Sequence, residues 1–387
     1  MMTKVVVTGM GLVSALAPSL EKAWQRLLCG ESGIQHYHPF SEIPAQPLAL
    51  VSSQPSHLED LLKPALSEAL DDAGLASPIT DCGVVIGSSR GFQFQWEEGA
   101  SAYHTSNPSH GEERSLLATP ECLARIYGVS PASIVAQSIA AQGPVLAPRA
   151  ACATGIWAIA QGADLIRAGY CSRVIVGAVE APITPLTLAG FNKMGAMAQS
   201  GAYPFDQNRE GFVLGEGAGI LVLEEASVAQ KRQAKIYGQI LGVGLTVDAH
   251  HITAPETSRQ AAITAIQDCL QRSGLKASEI GYIHAHGTAT YLNDQAEAVV
   301  IKSLFPSAVA VSSTKGATGH TLGASAAFGC IFSLMALSQK ILPPCVGLRE
   351  PAFDLNFVRE PHRHKIQSAL CLSSGFGGQN TVLALSS

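Results

Sequence analysis

Short apolar segments alternate along this chain with longer segments in which apolar residues recur at helical spacing. The apolar runs predict buried strands at 4–8, 83–87, 173–180, 217–224, 236–247, 280–285, 308–312 and 367–372. The helical spacing predicts helices at 19–28, 58–72, 258–273, 293–303 and 322–339. It also predicts a helix from Cys152 to about residue 169, and another that follows the strand at 217–224 and ends at about residue 235. The stretch from 92 to about 125 has no such period and is expected to be an irregular lid or partner surface.

The alternation of strands and helices indicates an α/β fold whose parallel or mixed sheets are covered by helices. In such folds the ligand site lies where strand ends converge, and the predicted strands end in glycine-rich or hydroxyl-rich loops. A chain of 387 residues exceeds what one core usually covers. Two domains, or two similar halves, are therefore expected.

Composition narrows the class of protein. Apolar residues make up 47% and charged residues 14%, and the mean hydropathy is +0.21, so part of the surface is expected to form a subunit interface in a twofold dimer. The net charge of −5, without a basic stripe, argues against a nucleic-acid partner. The nine cysteines form no C-x-x-C pair, which indicates reduced thiols and no zinc site. Because neither a signal peptide nor a membrane span is recognisable, a cytoplasmic location is expected.

The first candidate for chemistry is the thiol of Cys152, in a stretch of small residues, 149–155, that opens a predicted helix. The free amides and the dipole of a helix start favour negative charge, so the pKa of this thiol is expected to fall below its ordinary value of about 8.5. Ala151, Ala153 and Gly155 leave space for a substrate to approach the sulfur. The alternative, a small buried hydrophobic residue, is equally compatible with this stretch alone.

A loop at 283–290 follows a predicted strand and carries polar side chains suited to a ligand. His286 can donate a hydrogen bond to a developing negative charge, and Thr288 and Thr290 can bond the amide groups of an extended ligand. His284 lies within the apolar run. That position is more typical of a packed or hydrogen-bonded core histidine.

Two further loops follow strands in the second half of the chain. The loop at 312–324 contains Lys315 and His320 before a helix, and the glycines of 373–380 allow backbone amides to face a ligand. Nucleotide binding is the rival interpretation. It is disfavoured because the phosphate-loop order is absent at 312–324, and because 9–11 lacks the third glycine of a dinucleotide site.

One thiol, two histidines, a lysine and an amide loop together fit acyl transfer combined with enolate chemistry. The thiolate attacks a thioester while backbone amides hold the oxyanion. Two neutral imidazoles can then stabilise the enolate that a second thioester forms on losing carbon dioxide. This condensation needs neither a metal nor a redox cofactor, so none is expected.

With these motifs in order, the chain resembles the β-ketoacyl-[acyl-carrier-protein] synthases, especially their elongating branch. The resemblance rests on separated segments at 5–11, 151–155, 204–206, 209–219, 285–288, 315–320 and 375–378. It implies a homodimer with a thiolase-like fold, in which two similar βαβαβ halves, 1–235 and 236–387, form a five-layer α-β-α-β-α sandwich. It also implies decarboxylative Claisen condensation of an acyl thioester with malonyl-acyl carrier protein, in fatty-acid or polyketide biosynthesis.

The resemblance also implies roles for the catalytic residues. Cys152 matches the acylated nucleophile, and His286 and His320 match the histidine pair that supports decarboxylation and condensation. Lys315 matches the lysine that organises this polar site. The amides of Cys152 and Phe376 would form the oxyanion hole, and Phe376 resembles a gate between the acyl and malonyl steps.

The substrate-binding residues follow from the same resemblance. Thr288 and Thr290 match threonines that contact pantetheine, and Phe191 matches an aromatic side chain beside the nucleophile. Arg90 falls near a position where an apolar side chain often lines the acyl pocket. A charge there is expected to shorten or reroute the acyl tunnel, unless the loop turns the side chain to solvent. The implied partner is an acyl carrier protein.

Other departures from the family pattern concern the support of the site. Gly329 stands where a glutamate is usual, which removes a carboxylate expected to support the lysine and histidine network. The segment 372–374 is Leu-Ser-Ser where Asn-Ser-Phe is common, so Ser374 is expected to alter the packing of the gate.

Two alternative functions stay open at this point. One is a thiolase-fold acyltransferase, because 319–325 also resembles a thiolase loop; however, Cys371 lacks the x-Gly context of a second catalytic cysteine. The other is a non-catalytic partner subunit, like a chain-length factor. Gly329 favours that alternative, whereas the retained cysteine and histidines argue against it.

Overall fold

The computed structural model describes residues 3–105 and 129–387 of the chain. Its strands are Val5–Ser14 (β1), Gln35–Tyr37 (β2), Gln46–Leu48 (β3), Cys82–Gly87 (β4), Val145–Leu146 (β5), Arg173–Glu180 (β6), Gly217–Glu225 (β7), Gly238–Val247 (β8), Tyr282–His284 (β9), Ala310–Ser312 (β10), Ile341–Leu342 (β11), Asn356–Phe357 (β12), His362–Arg363 (β13), Ser368–Gly375 (β14) and Gln379–Ser386 (β15).

The helices alternate with these strands. They are Leu20–Leu28 (α1), Leu58–Ala73 (α2), Gln93–Thr105 (α3), Pro131–Ser138 (α4), Thr154–Arg167 (α5), Pro185–Lys193 (α6), Ala226–Lys231 (α7), Gln260–Ser273 (α8), Tyr291–Leu304 (α9), Lys315–Thr318 (α10) and Gly323–Gln339 (α11). Within the described residues, no helix is long and apolar enough to cross a membrane.

Two strand arrays repeat the same pattern of directions. In the order β1-β7-β6-β4-β5 the successive pairs are antiparallel, antiparallel, parallel and parallel. The order β8-β15-β14-β9-β10 has the same four relations, and β12 adds a further parallel strand at its edge. The arrays join where Val5–Val7 of β1 pairs with Gly238–Ile240 of β8. The expected pair of similar halves is confirmed.

Helices complete the five layers of the expected sandwich. In the central layer, α5 and α11 pack against each other and against strands of both arrays. Helix α11 contains no charged residue and is buried on all sides over 323–337, as a helix between two sheets must be. On the outer faces, α2 and α4 cover the first array, and α8 covers the second with α9 packed beside it.

The first strand is longer than the sequence indicated. The strand was expected to end at residue 8, but β1 continues to Ser14. Helix α2 lies so close to this strand that a Cβ atom on Gly9 would be 2.3 Å from the Ala69 carbonyl oxygen, and one on Gly11 would be 2.0 Å from that of Ala65. These glycines therefore mark close packing between a helix and a strand rather than a turn.

Two other expectations need correction. Part of the stretch expected to be irregular forms α3, Gln93–Thr105, and residues 106–128 lie outside the described residues. The predicted strand at 367–372 extends to Gly375 and turns back into β15, which was not predicted. The turn is formed by Gly377 and Gly378, whose φ angles are +83° and +74°. These glycines interrupt the apolar pattern, so the hairpin was not recognised from the sequence.

Alanine at Gly9 or Gly11 is expected to lower the free energy of unfolding by roughly 1–3 kcal/mol, because the added methyl group forces α2 away from β1. Chemical denaturation of each variant measures this loss. Gly190→Ala is the matched control, since Gly190 lies in helix α6 with open space around it and should gain up to about 1 kcal/mol. Equal stability of all three variants would contradict the close packing.

Candidate active site

A tight turn presents the Cys152 thiol just before α5. The backbone of Ala151 has φ of +47°, a left-handed conformation that residues other than glycine rarely adopt. The buried Thr154 hydroxyl stabilises this turn, because its oxygen accepts a hydrogen bond from the Ala150 amide at 2.9 Å and donates one to the Ala151 carbonyl at 2.6 Å. The thiol is thereby held on the wall of a cavity of about 370 Å³.

The prediction that the pKa of Cys152 would be lowered was wrong in direction. Burial raises the pKa of its thiol to about 12, although the positive charges of Lys315 and Arg90 act to lower it. The helix begins at Thr154, so the sulfur precedes its first turn, and the loss of solvation outweighs the charges. The resting group is therefore a thiol, and a neighbouring base has to accept its proton before it can attack a thioester.

Two buried histidines share the cavity wall with this thiol. His286 follows β9, His320 lies between α10 and α11, and their ring centroids are 5.5 Å apart with planes at 83°. Burial lowers the pKa of both rings well below the ordinary value, and the charge of Lys315 lowers it further. Both imidazoles are therefore neutral at physiological pH, so each can accept a proton at one nitrogen and donate from the other.

The lysine lies behind His286. The Lys315 ammonium group donates to the His286 carbonyl oxygen, and its nitrogen is 3.4 Å from Nδ1 of the same histidine. A lysine can only donate, so Nδ1 accepts and the proton of the neutral ring is assigned to Nε2. Nδ1 of His320 lies 3.1 Å from the Ser325 hydroxyl, which can donate or accept. The Nε2–H group of His286 is thus a donor left for a ligand.

Glu297 is a functional residue to which sequence reasoning assigned no role. Its carboxylate accepts hydrogen bonds from the amides of His286 at 2.6 Å and Gly287 at 2.8 Å, and so fixes the loop that carries the histidine. Burial raises its pKa to about 7. The available signal was its spacing from Asp294, because residues three apart share one face of a helix. Asp294 accepts from the amides of Phe205 and Ala289.

The end of β14 lies against the turn of Cys152. The Ser373 hydroxyl donates to the Cys152 carbonyl oxygen at 3.0 Å and is 3.4 Å from Nδ1 of His286. A Cβ atom on Gly375 would be 2.9 Å from the Ala150 oxygen and 3.1 Å from the Cys152 amide nitrogen, so the residue must be glycine. The Phe376 that follows packs its ring 6.3 Å from that of Phe191.

Two cavities meet at Cys152. The larger one is lined by the nucleophile, both histidines and predicted ligand-binding residues: Cys152, His286, His320, Thr288, Thr290 and Phe376. The Thr288 and Thr290 hydroxyls lie 2.9 Å apart. A second cavity, of about 250 Å³, is lined by Arg90 beside Cys152 and Phe376, and Phe191 lines both cavities. In the described part of the chain, no three His, Cys, Asp or Glu side chains converge as metal ligands.

The glycine at 329 has a local explanation. A Cβ atom there would be 2.7 Å from Sγ of Cys371 and 2.7 Å from Nδ1 of His284. His284 is buried and its Nε2 lies 3.1 Å from the Thr314 hydroxyl, immediately before Lys315, so its prediction as a hydrogen-bonded core histidine is confirmed. In this chain an imidazole and a thiol adjoin residue 329, where a glutamate is expected from the resemblance, and they leave no space for a larger residue.

Comparisons with known proteins agree with this fold and site. The descriptions "Beta-ketoacyl synthase, N-terminal domain" and "Beta-ketoacyl synthase, C-terminal domain" match residues 56–229 and 237–349. The chain is 35% identical to the 3-oxoacyl-[acyl-carrier-protein] synthase 2 of Rhizobium meliloti, over 99% of both chains. It is 33% identical to the mitochondrial 3-oxoacyl-[acyl-carrier-protein] synthase of Arabidopsis thaliana, over 99% of this chain and 93% of the other.

A solved structure extends the likeness to three dimensions. It is a complex of a type II polyketide synthase acyl-carrier protein with its ketosynthase, with a TM-score of 0.91, 27% identity and full coverage of both chains. The duplicated five-layer fold, with its active-site candidates at the strand ends, defines a thiolase-fold protein. Within that class, this chain belongs to the β-ketoacyl synthase family.

Alkylation of Cys152 by iodoacetamide is expected to be slow at about pH 7 and to accelerate continuously to about pH 10, because thiolate becomes more abundant as the pH approaches a pKa of about 12. Peptide mass spectrometry measures the rate, and Cys152→Ala provides the background from other cysteines. A rate that reaches its plateau below about pH 8 would show instead that the thiol is ionised at rest.

Proposed function

We propose that this chain condenses an acyl group carried on Cys152 with the enolate of a malonyl thioester delivered by an acyl carrier protein. The observation that carries the proposal is the convergence of one thiol and two neutral, buried imidazoles, those of His286 and His320, on one cavity. The chain is an acyltransferase, and its curated relatives are 3-oxoacyl-[acyl-carrier-protein] synthases.

The first step is transfer of the acyl group to the enzyme. The Cys152 thiol gives up its proton, and its sulfur attacks the carbonyl carbon of the incoming thioester. The amides of Cys152 and Phe376 hold the resulting oxyanion, a role supported by the close approach of Gly375 to the Cys152 amide. The bond to the carrier sulfur breaks, and the proton returns to that sulfur, so the carrier leaves as a free thiol.

The second step forms the carbon–carbon bond. The malonyl thioester loses carbon dioxide, and the electron pair of the broken bond becomes an enolate whose oxygen accepts from the Nε2–H groups of His286 and His320. The enolate carbon attacks the acyl carbon, the bond to the Cys152 sulfur breaks, and that sulfur takes up one proton. Thr288 and Thr290 bind the pantetheine arm, and Lys315 holds His286 in its working tautomer.

The proposal includes a partner, an assembly and a location. An acyl carrier protein as partner is supported by the solved complex of a similar ketosynthase with its carrier. A homodimer is supported by the low charge content of the chain, and a cytoplasmic location by its cysteine usage. A division into halves at 1–235 and 236–387 is supported by the repeated strand order.

The thiolase alternative is not favoured by any feature of the site. A thiolase would need a second cysteine at the reacting atoms. Cys371 is buried between His284 and α11 instead of on the cavity wall, and its sulfur is 3.9 Å from the Ala326 carbonyl oxygen.

Intact-protein mass spectrometry tests the function directly. The protein is incubated with acyl carrier proteins of graded acyl length and then with malonyl-carrier protein. An acyl adduct that maps to Cys152, followed by release of a product two carbons longer, is the expected result. If no acyl length loads the thiol, the chain is a non-catalytic partner subunit.

Two substitutions separate the roles within the site. Cys152→Ala is expected to abolish condensation, and His320→Ala to lower its rate by about 10²-fold through loss of one hydrogen bond to the enolate. The rate of 3-oxoacyl product formation from malonyl-carrier protein measures both effects. His364→Ala, which removes an exposed histidine, is the matched control and should leave the rate unchanged. Normal turnover by Cys152→Ala would refute the assignment.

A further inference from the structure

The second cavity adjoins Cys152. It is called here the arginine cavity and is defined by Arg90, Arg149, Cys152, Phe191 and Phe376. Neither His286 nor His320 lines it, although both line the larger cavity. When a thioester reacts from the histidine side, the arginine cavity is therefore the space left for the acyl group that stays on the sulfur.

The arginine cavity has a rigid wall. The buried carboxylate of Glu180 accepts hydrogen bonds from the Ser88 hydroxyl at 3.1 Å and the Arg90 amide at 3.3 Å, which fixes the loop that carries Arg90. The Arg90 guanidinium carbon then lies 5.3 Å from the centroid of the Phe191 ring. Nη2 of Arg149 donates to the Ser89 carbonyl oxygen at 2.7 Å, so both cations are held at the same end of the cavity.

Neither guanidinium group forms an ion pair with a described carboxylate. Among residues 3–105 and 129–387, no acidic side chain lines the cavity and no carboxylate forms an ion pair with Arg90 or Arg149. A guanidinium group has five N–H donors, and the side-chain hydrogen bond of Arg90 to Gln93, at 3.4 Å, uses one of them. A plain alkyl chain would cover such donors without replacing their hydrogen bonds to water, which is costly.

We propose that the arginine cavity selects acyl groups that carry an oxygen acceptor beyond the thioester carbonyl, either a carboxylate or a ketone, and that Arg90 is the specificity-determining residue. The inference rests on the proposed function, in which Cys152 carries the acyl group. Arg90 forms the wall against Phe191, whereas Arg149 adds positive charge from an exposed position. The chain then extends oxygen-bearing acyl groups in preference to saturated hydrocarbon chains.

Three pantetheine thioesters of the same five-carbon length test the selection. They are pentanoyl, 4-oxopentanoyl and glutaryl pantetheine, which end in an alkyl, a ketone-bearing and a carboxylate-bearing chain. The rate at which each acylates Cys152 is measured by intact-protein mass spectrometry. We expect the two oxygen-bearing groups to load roughly 10-fold faster than pentanoyl, as expected for a hydrogen bond to a charged donor. The ratio of the ketone to the carboxylate distinguishes hydrogen bonding from charge pairing.

Variants assign the effect to one residue. Arg90→Met keeps the length of the side chain without its donors and should remove the preference or reverse it, whereas Arg90→Lys should retain a preference for glutaryl. Arg363→Met, at an exposed arginine in β13, is the matched control and should behave like the unmodified protein.

The outcomes separate this inference from the proposed function. Equal loading of the three thioesters, or a preference unchanged in Arg90→Met, overturns the role of Arg90 while acylation of Cys152 still supports the condensing activity. Failure of every thioester, including acyl-carrier substrates, overturns both the function and the selection.

Discussion

The buried ammonium group of Lys315 is the constraint on which the site depends. Lys315 is 4% exposed, and a cation so far from water is unstable unless polar groups surround it. The His286 carbonyl and the nearby Glu297 carboxylate provide this environment. Glu297 also holds the His286 and Gly287 amides, so the groups that stabilise the cation fix the histidine loop. The orientation of the His286 ring follows from that network.

The duplicated fold brings the two halves of the chemistry together. The central helices α5 and α11 occupy equivalent places in the two strand patterns. Helix α5 follows β5, and α11 follows β10, which is the counterpart of β5 in the second array. A non-glycine residue with positive φ precedes each helix, Ala151 at +47° and Leu322 at +44°. The repeated turn places Cys152 before one helix and His320 before the other. Packing of the two helices in the central layer then brings these residues to one cavity.

The sequence predicted which residues meet, because strand ends and helix starts mark where an α/β site forms; Cys152, His286 and His320 were placed in this way. It predicted less about what surrounds them. The pKa of Cys152 depends on burial among residues distant in the chain, which no local pattern records. The space available to a side chain at position 329 likewise depends on His284, 45 positions earlier. Contacts formed only after folding explain these misses.

The central claim is that His286 and His320 are both neutral and that His286 carries its proton on Nε2. Nitrogen-15 NMR of histidine-labelled protein, with His286 and His320 assigned by single substitutions, tests it most directly. The account predicts that both rings remain neutral at neutral pH and also at pH values well below the ordinary histidine pKa of about 6.5, with His286 in the Nε2–H form. An imidazolium signal from either ring at neutral pH, or a proton on Nδ1 of His286, would contradict it.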